Sequence, residues 1–272
     1  MAGEPSLYEI LRDCLARNVP VVLATVVAST EAGRLGAKLL AHGTEVLGTL
    51  GDPGLDAVVG RDALGALVSG QSSTRHYGLG GEAREDDVTV FVEAFSPPPK
   101  MIILGAVDFS AALAEVARVL GYRVTVCDAR AVFATKRRLP AADEVVVEWP
   151  DRYLAKVGAE LGPRDAVCVL THDTKFDVPA IVAALATEVG YIGAMGSRRT
   201  TEQRNARLRE AGVAAAGLAR VRAPIGLDLG ARTPEETAVS ICAEIIASQT
   251  DTETVLPLAH STGAIHRDGA VS

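Results

Sequence analysis

The apolar positions change their period several times along the chain, and each change marks an element. Leu7, Ile10, Leu11, Cys14 and Leu15 recur three and four residues apart, which predicts an amphipathic helix ending near Asn18. "VPVVLATVVAS" is rich in β-branched residues and predicts a strand, and "AKLLAHGTEVLGTLG" predicts two short strands about a His42-Gly43 turn. Helical spacing returns in "GLDAVVGRDALGALVSG", with Gly70 as its stop, before "STRHYGLGGEAREDDVTVFVEAF" supplies one or two strands around a glycine-rich loop. Residues 1–95 therefore predict a small α+β domain.

"SPPPK" interrupts this pattern. Its three prolines remove backbone donors and fix φ, so residues 96–100 predict a linker. Beyond it, strands and helices alternate: "MIILG", "YRVTVCD", "DEVVVE", "DAVCVLTHD" and "YIGAMG" are short apolar runs, and "FSAALAEVARVLG", "DRYLAKVGAELG" and "VPAIVAALATEVG" have helical spacing. Nearly continuous apolar strands interleaved with helices predict a doubly wound, Rossmann-like parallel sheet over residues 101–249, covered on both faces. Two further helices follow. Thr200 with Gln203 and Thr233 with Glu236 have capping-box spacing, and Pro234 takes the first helical position of the second. Residues 250–272 lose periodicity and predict a mobile tail.

Composition narrows the partners. The chain of 272 residues is 48% apolar and carries a formal charge of -7, with a pI near 5.3. That balance argues against a broad nucleic-acid or anionic-membrane surface, which needs an excess of lysine and arginine. The four cysteines, Cys14, Cys127, Cys168 and Cys242, lack metal-ligand spacing and predict reduced thiols in a cytoplasmic protein. The charged residues Glu9, Arg12, Asp13 and Arg17 interrupt the amino-terminal apolar positions, unlike a signal peptide's core, and no run is long enough to span a membrane.

Open parallel sheets bind ligands beyond the carboxyl ends of their strands, so the candidate chemistry lies there. "ILGAVDFSAAL" occupies the first strand-helix turn and keeps Gly105, but Val107 and Ser110 stand where a dinucleotide fingerprint has its second and third glycines. Asp108 adds negative charge, and the turn disfavours NAD(P). Asp128 ends the next strand, about 20 residues on, where an acidic residue would accept from a ribose hydroxyl; a solvated carboxylate beside Arg130 is the other reading. Cys127 is a weaker candidate, a thiol at the same edge. "LTHDTKFD" brings His172, Asp173, Lys175 and Asp177 to the edge, where His172 can act as acid, base or donor, and Asp173 or Asp177 can instead cap a helix. "YIGAMGSRRT" offers the clearest anion site: Gly193 and Gly196 permit close approach, Ser197 supplies a hydroxyl, and Arg198 and Arg199 can fork onto a phosphate at a helix start. The rival reading is a solvated basic helix face, which Arg204, Arg207 and Arg209 would share. "RAPIGLDLGARTPEE", with Pro224, Gly226, Asp228, Gly230 and Arg232, predicts a loop folded over the sheet edge as a second wall.

Three stretches, "VLTHDTKFD", "YIGAMGSRRTTEQRNARLREAGV" and "APIGLDLGARTPEETAVSICAEIIA", resemble the XdhC/CoxI family of molybdenum-hydroxylase maturation factors in order and separation. "VVLATVVAS", "GAKLL" and "GTLGDPGLDA" resemble that family's smaller domain less closely. The resemblance implies a chaperone without turnover of its own. It would bind molybdenum cofactor, a molybdopterin with a phosphate or nucleotide, help a cysteine desulfurase sulfurate it, and deliver it to an apo-hydroxylase of the xanthine or carbon monoxide dehydrogenase type. Analogy with the family also implies a homodimer. The pterin phosphate would suit Gly196, Ser197, Arg198 and Arg199, with Gly105, Asp128, His172, Asp173 and the Pro224 to Arg232 loop around it.

Two departures stand out. Gly54 occupies the place of a family cysteine, and "GAVD" replaces the usual Gly-Ala-Gly-His turn. They support one alternative, a degenerate interaction module that no longer binds cofactor; the other alternative, an NAD(P)-linked oxidoreductase, uses the same fold but needs a usable glycine turn, and the altered turn counts against it.

Overall fold

A computed structural model describes residues 5–83, 85–171, 173–250 and 254–261. The chain divides into two compact units, with the break between Pro97 and Pro98.

In the first unit α1 (Leu7–Ala16) precedes β1 (Val21–Ser29), β2 (Lys38–His42) and β3 (Glu45–Thr49). α2 (Pro53–Ser69), β4 (Ser73–Tyr77) and β5 (Val88–Phe95) complete it. The strands form an antiparallel sheet in the order β3-β2-β1-β5-β4. Because strand side chains alternate, β1 serves two cores at once. Val22, Ala24 and Val26 pack with Leu55, Val59 and Ala63 of α2, whereas Val21 and Leu23 pack with Leu7, Ile10 and Cys14 of α1. Each fully buried valine or leucine among them contributes about 1.5–3 kcal/mol. Ser6 and Glu9 close a capping box on α1, and Gly70, with φ of 66°, ends α2.

The second unit contains β6 (Lys100–Leu104), α3 (Asp108–Val119), β7 (Arg123–Cys127), β8 (Glu144–Val146) and α4 (Pro150–Val157). β9 (Ala166–Val169), α5 (Thr174–Leu185), β10 (Tyr191–Ala194) and α6 (Arg198–Glu210) follow. α7 (Ala215–Ala219), β11 (Val221–Arg222) and α8 (Pro234–Gln249) end it. All six strands are parallel, in the order β11-β10-β9-β6-β7-β8. Met101, Ile103, Val124 and Cys168 face α3 and α8, while Ile102, Leu104, Val167 and Val169 face α4, α5 and α6. This is the predicted doubly wound α/β sheet. From β6 the chain winds outward to β7 and β8; from β9 it winds the other way. The ends of neighbouring β6 and β9 therefore flank the switch point, where ligands enter such sheets.

The structure departs from the sequence reading at three places. β11 and α7 are additional, and both are too short to show a period. α5 starts at Thr174 rather than Val178, because Asp173 caps it by accepting from Lys175 N–H, and Pro179 is accommodated within the helix. α6 is capped by Ser197, whose hydroxyl accepts from Thr200 N–H at 3.1 Å, not by Thr200 itself. Most of the region expected to be a mobile tail lies outside the described residues; within it, Leu258–His260 form one 3-10 turn. Among the described residues no helix is long and apolar enough to cross a membrane.

Candidate functional site

The ends of β6 and β9 meet at a glycine. Gly105 has φ of 110°, and a β-carbon there would lie 2.9 Å from Thr171 Cγ2 and 3.1 Å from Thr171 N, so a side chain would push the two strand ends apart. Ser110, at the third glycine place, is fully buried and donates to Gly105 O at 2.5 Å. A hydroxyl thus replaces a glycine in locking this turn. Val107 occupies the N-cap position of α3 without a side-chain cap bond, its side chain half-buried.

Asp128, read as a ribose acceptor, has another occupation. Its Oδ2 accepts from Ala106 N–H at 2.7 Å and Arg130 Nη2 at 2.7 Å, and its Oδ1 accepts from Arg130 N–H at 2.8 Å and Nε at 2.9 Å. Burial pushes this carboxyl up, but the Arg130 fork and the two amides outweigh it and hold the pKa below the ordinary value. Asp128 is a clamp between the first turn and Arg130, with its lone pairs already used. Arg130 in turn lies 4.6 Å over the Phe133 ring, which Arg138 also approaches at 5.2 Å. Cys127 is buried, and its Sγ lies 3.3 Å from Glu148 O as a donor. Burial, reinforced by Asp128, pushes the thiol up to about 12, so it supplies no thiolate near neutrality.

On the other side of the switch point lies a buried chain of polar groups that the sequence reading missed. Thr171 donates to Asp177 Oδ1, and Arg204 Nη2 lies 3.3 Å from Asp177 Oδ2. Nη2 also donates to Met195 O. Asp177 and Arg204 are 1% and 2% exposed. Burial is the largest influence on Asp177 and outweighs the attraction of Arg204, so its pKa rises to about 6. Arg204 Nε and Nη1 and Thr201 Oγ1 are buried with no hydrogen-bond partner among the described residues. Such orphaned donors are rare because each costs about 1–3 kcal/mol.

The rival reading of a solvated basic helix face therefore fails at Arg204, which is buried, although Arg207 and Arg209 are exposed. Thr201, Arg204 and Leu208 form the buried face of α6, and their three- and four-residue spacing is the signal that could have revealed it. Gly196 sits above this arginine: a β-carbon there would lie 3.2 Å from Arg204 Nη2. With φ of 150°, Gly196 leaves open a cradle that a side chain would fill. Ser197, Arg198 and Arg199 are exposed around it, and the first turn of α6 holds no acidic residue, although the helix dipole disfavours cations there.

The remaining candidates are distributed as follows. Asp173 caps α5 and pairs with Lys175 at 3.4 Å. His172 lies outside the described residues. Gly226 N–H donates to Glu244 Oε2 at 2.8 Å, and Ile225 N–H donates to Ala194 O at 3.1 Å, so the loop is tied to α8 and to the end of β10. Pro224, Asp228 and Arg232 are exposed on it. Gly105, Thr171, Asp177, Arg204 and Gly196 are brought together by this network. In the first unit, Gly54 N–H donates to Asp52 Oδ1 at 2.8 Å, and a β-carbon at Gly54 would meet Gly80 O at 2.5 Å. The glycine-rich loop closes over this position, leaving no room for a cysteine. Among the described residues no His, Cys, Asp and Glu group has metal-binding geometry.

Sequence comparison defines the class. The model of the XdhC Rossmann domain matches residues 101–245, and that of the XdhC and CoxI family matches residues 14–78. The chain belongs to the XdhC and CoxI family. It is 30% identical over 165 residues to a probable xanthine dehydrogenase subunit from Bacillus subtilis (strain 168), covering 61% of this chain and 47% of that protein. It is 34% identical over 95 residues to the molybdenum cofactor insertion chaperone PaoD of Escherichia coli (strain K12), covering 35% and 30% respectively. The matched stretch thus spans less than half of either relative. A crystal structure of a xanthine dehydrogenase from Bacillus halodurans has the same fold, with a TM-score of 0.51 at 21% identity, covering 93% of this chain and 97% of that one.

Proposed function

We propose that this protein is a molybdenum-hydroxylase maturation factor that holds molybdenum cofactor by its phosphate end at the β10-α6 turn. In this role it assists sulfuration with a cysteine desulfurase and passes the cofactor to an apo-hydroxylase. The observation that carries the reading is Arg204, a buried guanidinium whose Nη2 lies under Gly196 and whose Nε and Nη1 have no hydrogen-bond partner among the described residues. The residues fit an anionic group there. Backbone N–H groups at the start of α6 favour negative charge, Arg198 and Arg199 flank the turn, and Arg204 supplies an interior cation.

Bound there, molybdenum cofactor would supply the redox-active metal centre that the client hydroxylase requires. The protein's residues bind and orient it. Gly196 admits the phosphate, Arg198 and Arg199 clamp its exposed oxygens, and the Ile225-Gly226 segment bounds the same edge. The relatives' names support this class of role, and the saturated lone pairs of Asp128, together with Val107 in the first turn, disfavour the NAD(P) alternative.

The test is retention of isolated molybdenum cofactor by the purified full chain, read from the fluorescence of its oxidised pterin after gel filtration. Arg198→Ala and Arg199→Ala should each weaken retention by about 1.5–3 kcal/mol, the cost of a lost charged hydrogen bond. Retention no better than that of heat-denatured protein sinks the proposal, and unchanged affinity in both variants moves the phosphate elsewhere.

A further inference from the structure

The first turn of α5 faces two ways. Asp177 reaches toward β10 and Arg204, while its neighbour Phe176 reaches toward β8 and meets Trp149, the single tryptophan of the chain. The ring centroids are 5.0 Å apart and the planes are inclined at 50°. Phe176 is nearly buried, whereas Trp149 keeps 42% of its surface exposed. Cations flank both rings: Lys175 Nζ lies 4.8 Å over Phe176, and the Arg152 guanidinium lies 5.9 Å over Trp149.

Two of the nearby carboxylates are already engaged. Asp173 pairs with Lys175, and Glu148 pairs with Lys156 at 2.6 Å. Asp173 is also near enough to Arg130 for each charge to favour the other's ionised form, which links the aromatic pair to the Asp128-Arg130 clamp. A half-exposed indole backed by a second ring and edged by cations suits a flat ring carried on an anion. Aromatic faces hold such rings by stacking, and the cations attract the phosphate attached to them.

We propose that Trp149 and Phe176, with Lys175 and Arg152 beside them, form a stacking seat for the flat nitrogen heterocycle of a phosphate-bearing ligand. This rests on the cofactor reading above and adds the wall that receives the ring. The shared turn of α5 makes the seat and the Arg204 grip parts of one edge. The same chemistry is offered by a pterin and by the nucleobase of a nucleotide extension.

Calorimetric titration of the full chain with pterin-6-carboxylate, GMP, CMP and inorganic phosphate separates these sources. A ring ligand should bind more tightly than inorganic phosphate, and GMP or CMP, if bound, should quench Trp149 emission. Trp149→Leu, which keeps apolar cover over Phe176, should weaken the ring ligand roughly 5- to 100-fold and leave inorganic phosphate unchanged, while Trp149→Phe should recover most of the loss. The tighter ring arm identifies the source. Ring ligands that bind no better than inorganic phosphate, or that bind Trp149→Leu as well as wild type, overturn the seat. If ring ligands bind through Trp149 but molybdenum cofactor is not retained, the seat stands and the cofactor reading fails. If cofactor is retained while Trp149→Leu changes no ring affinity, the reverse holds.

Discussion

Two arginine-aspartate pairs lie along the same sheet edge and have opposite character. In Asp128-Arg130 the carboxylate is buried and the guanidinium is 47% exposed; four donors saturate the carboxylate, and its pKa is lowered. In Asp177-Arg204 both partners are buried, two Arg204 donors have no partner among the described residues, and the pKa of Asp177 rises to about 6. Residue type does not decide the role. A pair whose bonds are all made within the protein holds a turn in place, whereas a buried cation with unused donors costs stability that an incoming anion can restore.

The largest test breaks the second pair. Arg204→Met leaves Asp177 without its cation and should destabilise the protein by about 3–5 kcal/mol in urea unfolding. Combining it with Asp177→Leu should recover much of that loss, because a buried pair replaced by apolar side chains is often neutral or better. Cofactor retention should stay lost in the double variant. A stable double variant that still retains cofactor would show that the orphaned donors are only structural. Next in size is Gly105→Ala, which forces a β-carbon to within 2.9 Å of Thr171 Cγ2 at a φ of 110°. It should cost about 1–3 kcal/mol in the same assay. It should also weaken cofactor retention more than Gly162→Ala, since no atom lies within 4 Å of a β-carbon at Gly162.

The two pairs also differ in how far the sequence revealed them. The parallel strands were legible because strands covered on both faces, such as Ala166–Val169, are continuously apolar. The β10-α6 turn was legible because a glycine, Gly196, and two arginines follow such a strand. Arg204 was not, because "RNARLRE" is so rich in charge that the turn spacing of its one inward arginine is masked. The Asp128 clamp was equally hidden: whether a strand-end acid meets a ribose or an arginine two residues later depends on where that arginine folds. Trp149 and Phe176 follow strands three places apart in the sheet, and it is the packing of α4 against α5 that brings them together. Gly54 could be seen as a departure from the family pattern, but its reason, the carbonyl of Gly80 where a side chain would stand, exists only in three dimensions.

The smallest effect separates the pairs by the sign of their pH dependence. Asp177 has a folded pKa near 6, above its ordinary 3.8, so its contribution to stability is full below the ordinary value and is lost as pH rises through about 6. Asp128 is shifted the other way. Its contribution is present above the ordinary value and is lost as pH falls through the lowered folded pKa. Between about pH 5 and pH 6.5, the Asp177 contribution should decline by on the order of 1 kcal/mol, while Asp128 contributes no slope. Urea midpoints of wild type and Asp177→Asn, measured across that window, isolate the effect by difference. The variant should have the flatter profile, and Asp128→Asn should keep the wild-type slope there. Parallel profiles for wild type and Asp177→Asn would mean that Arg204 holds Asp177 ionised throughout. The two pairs would then differ only in their unused donors.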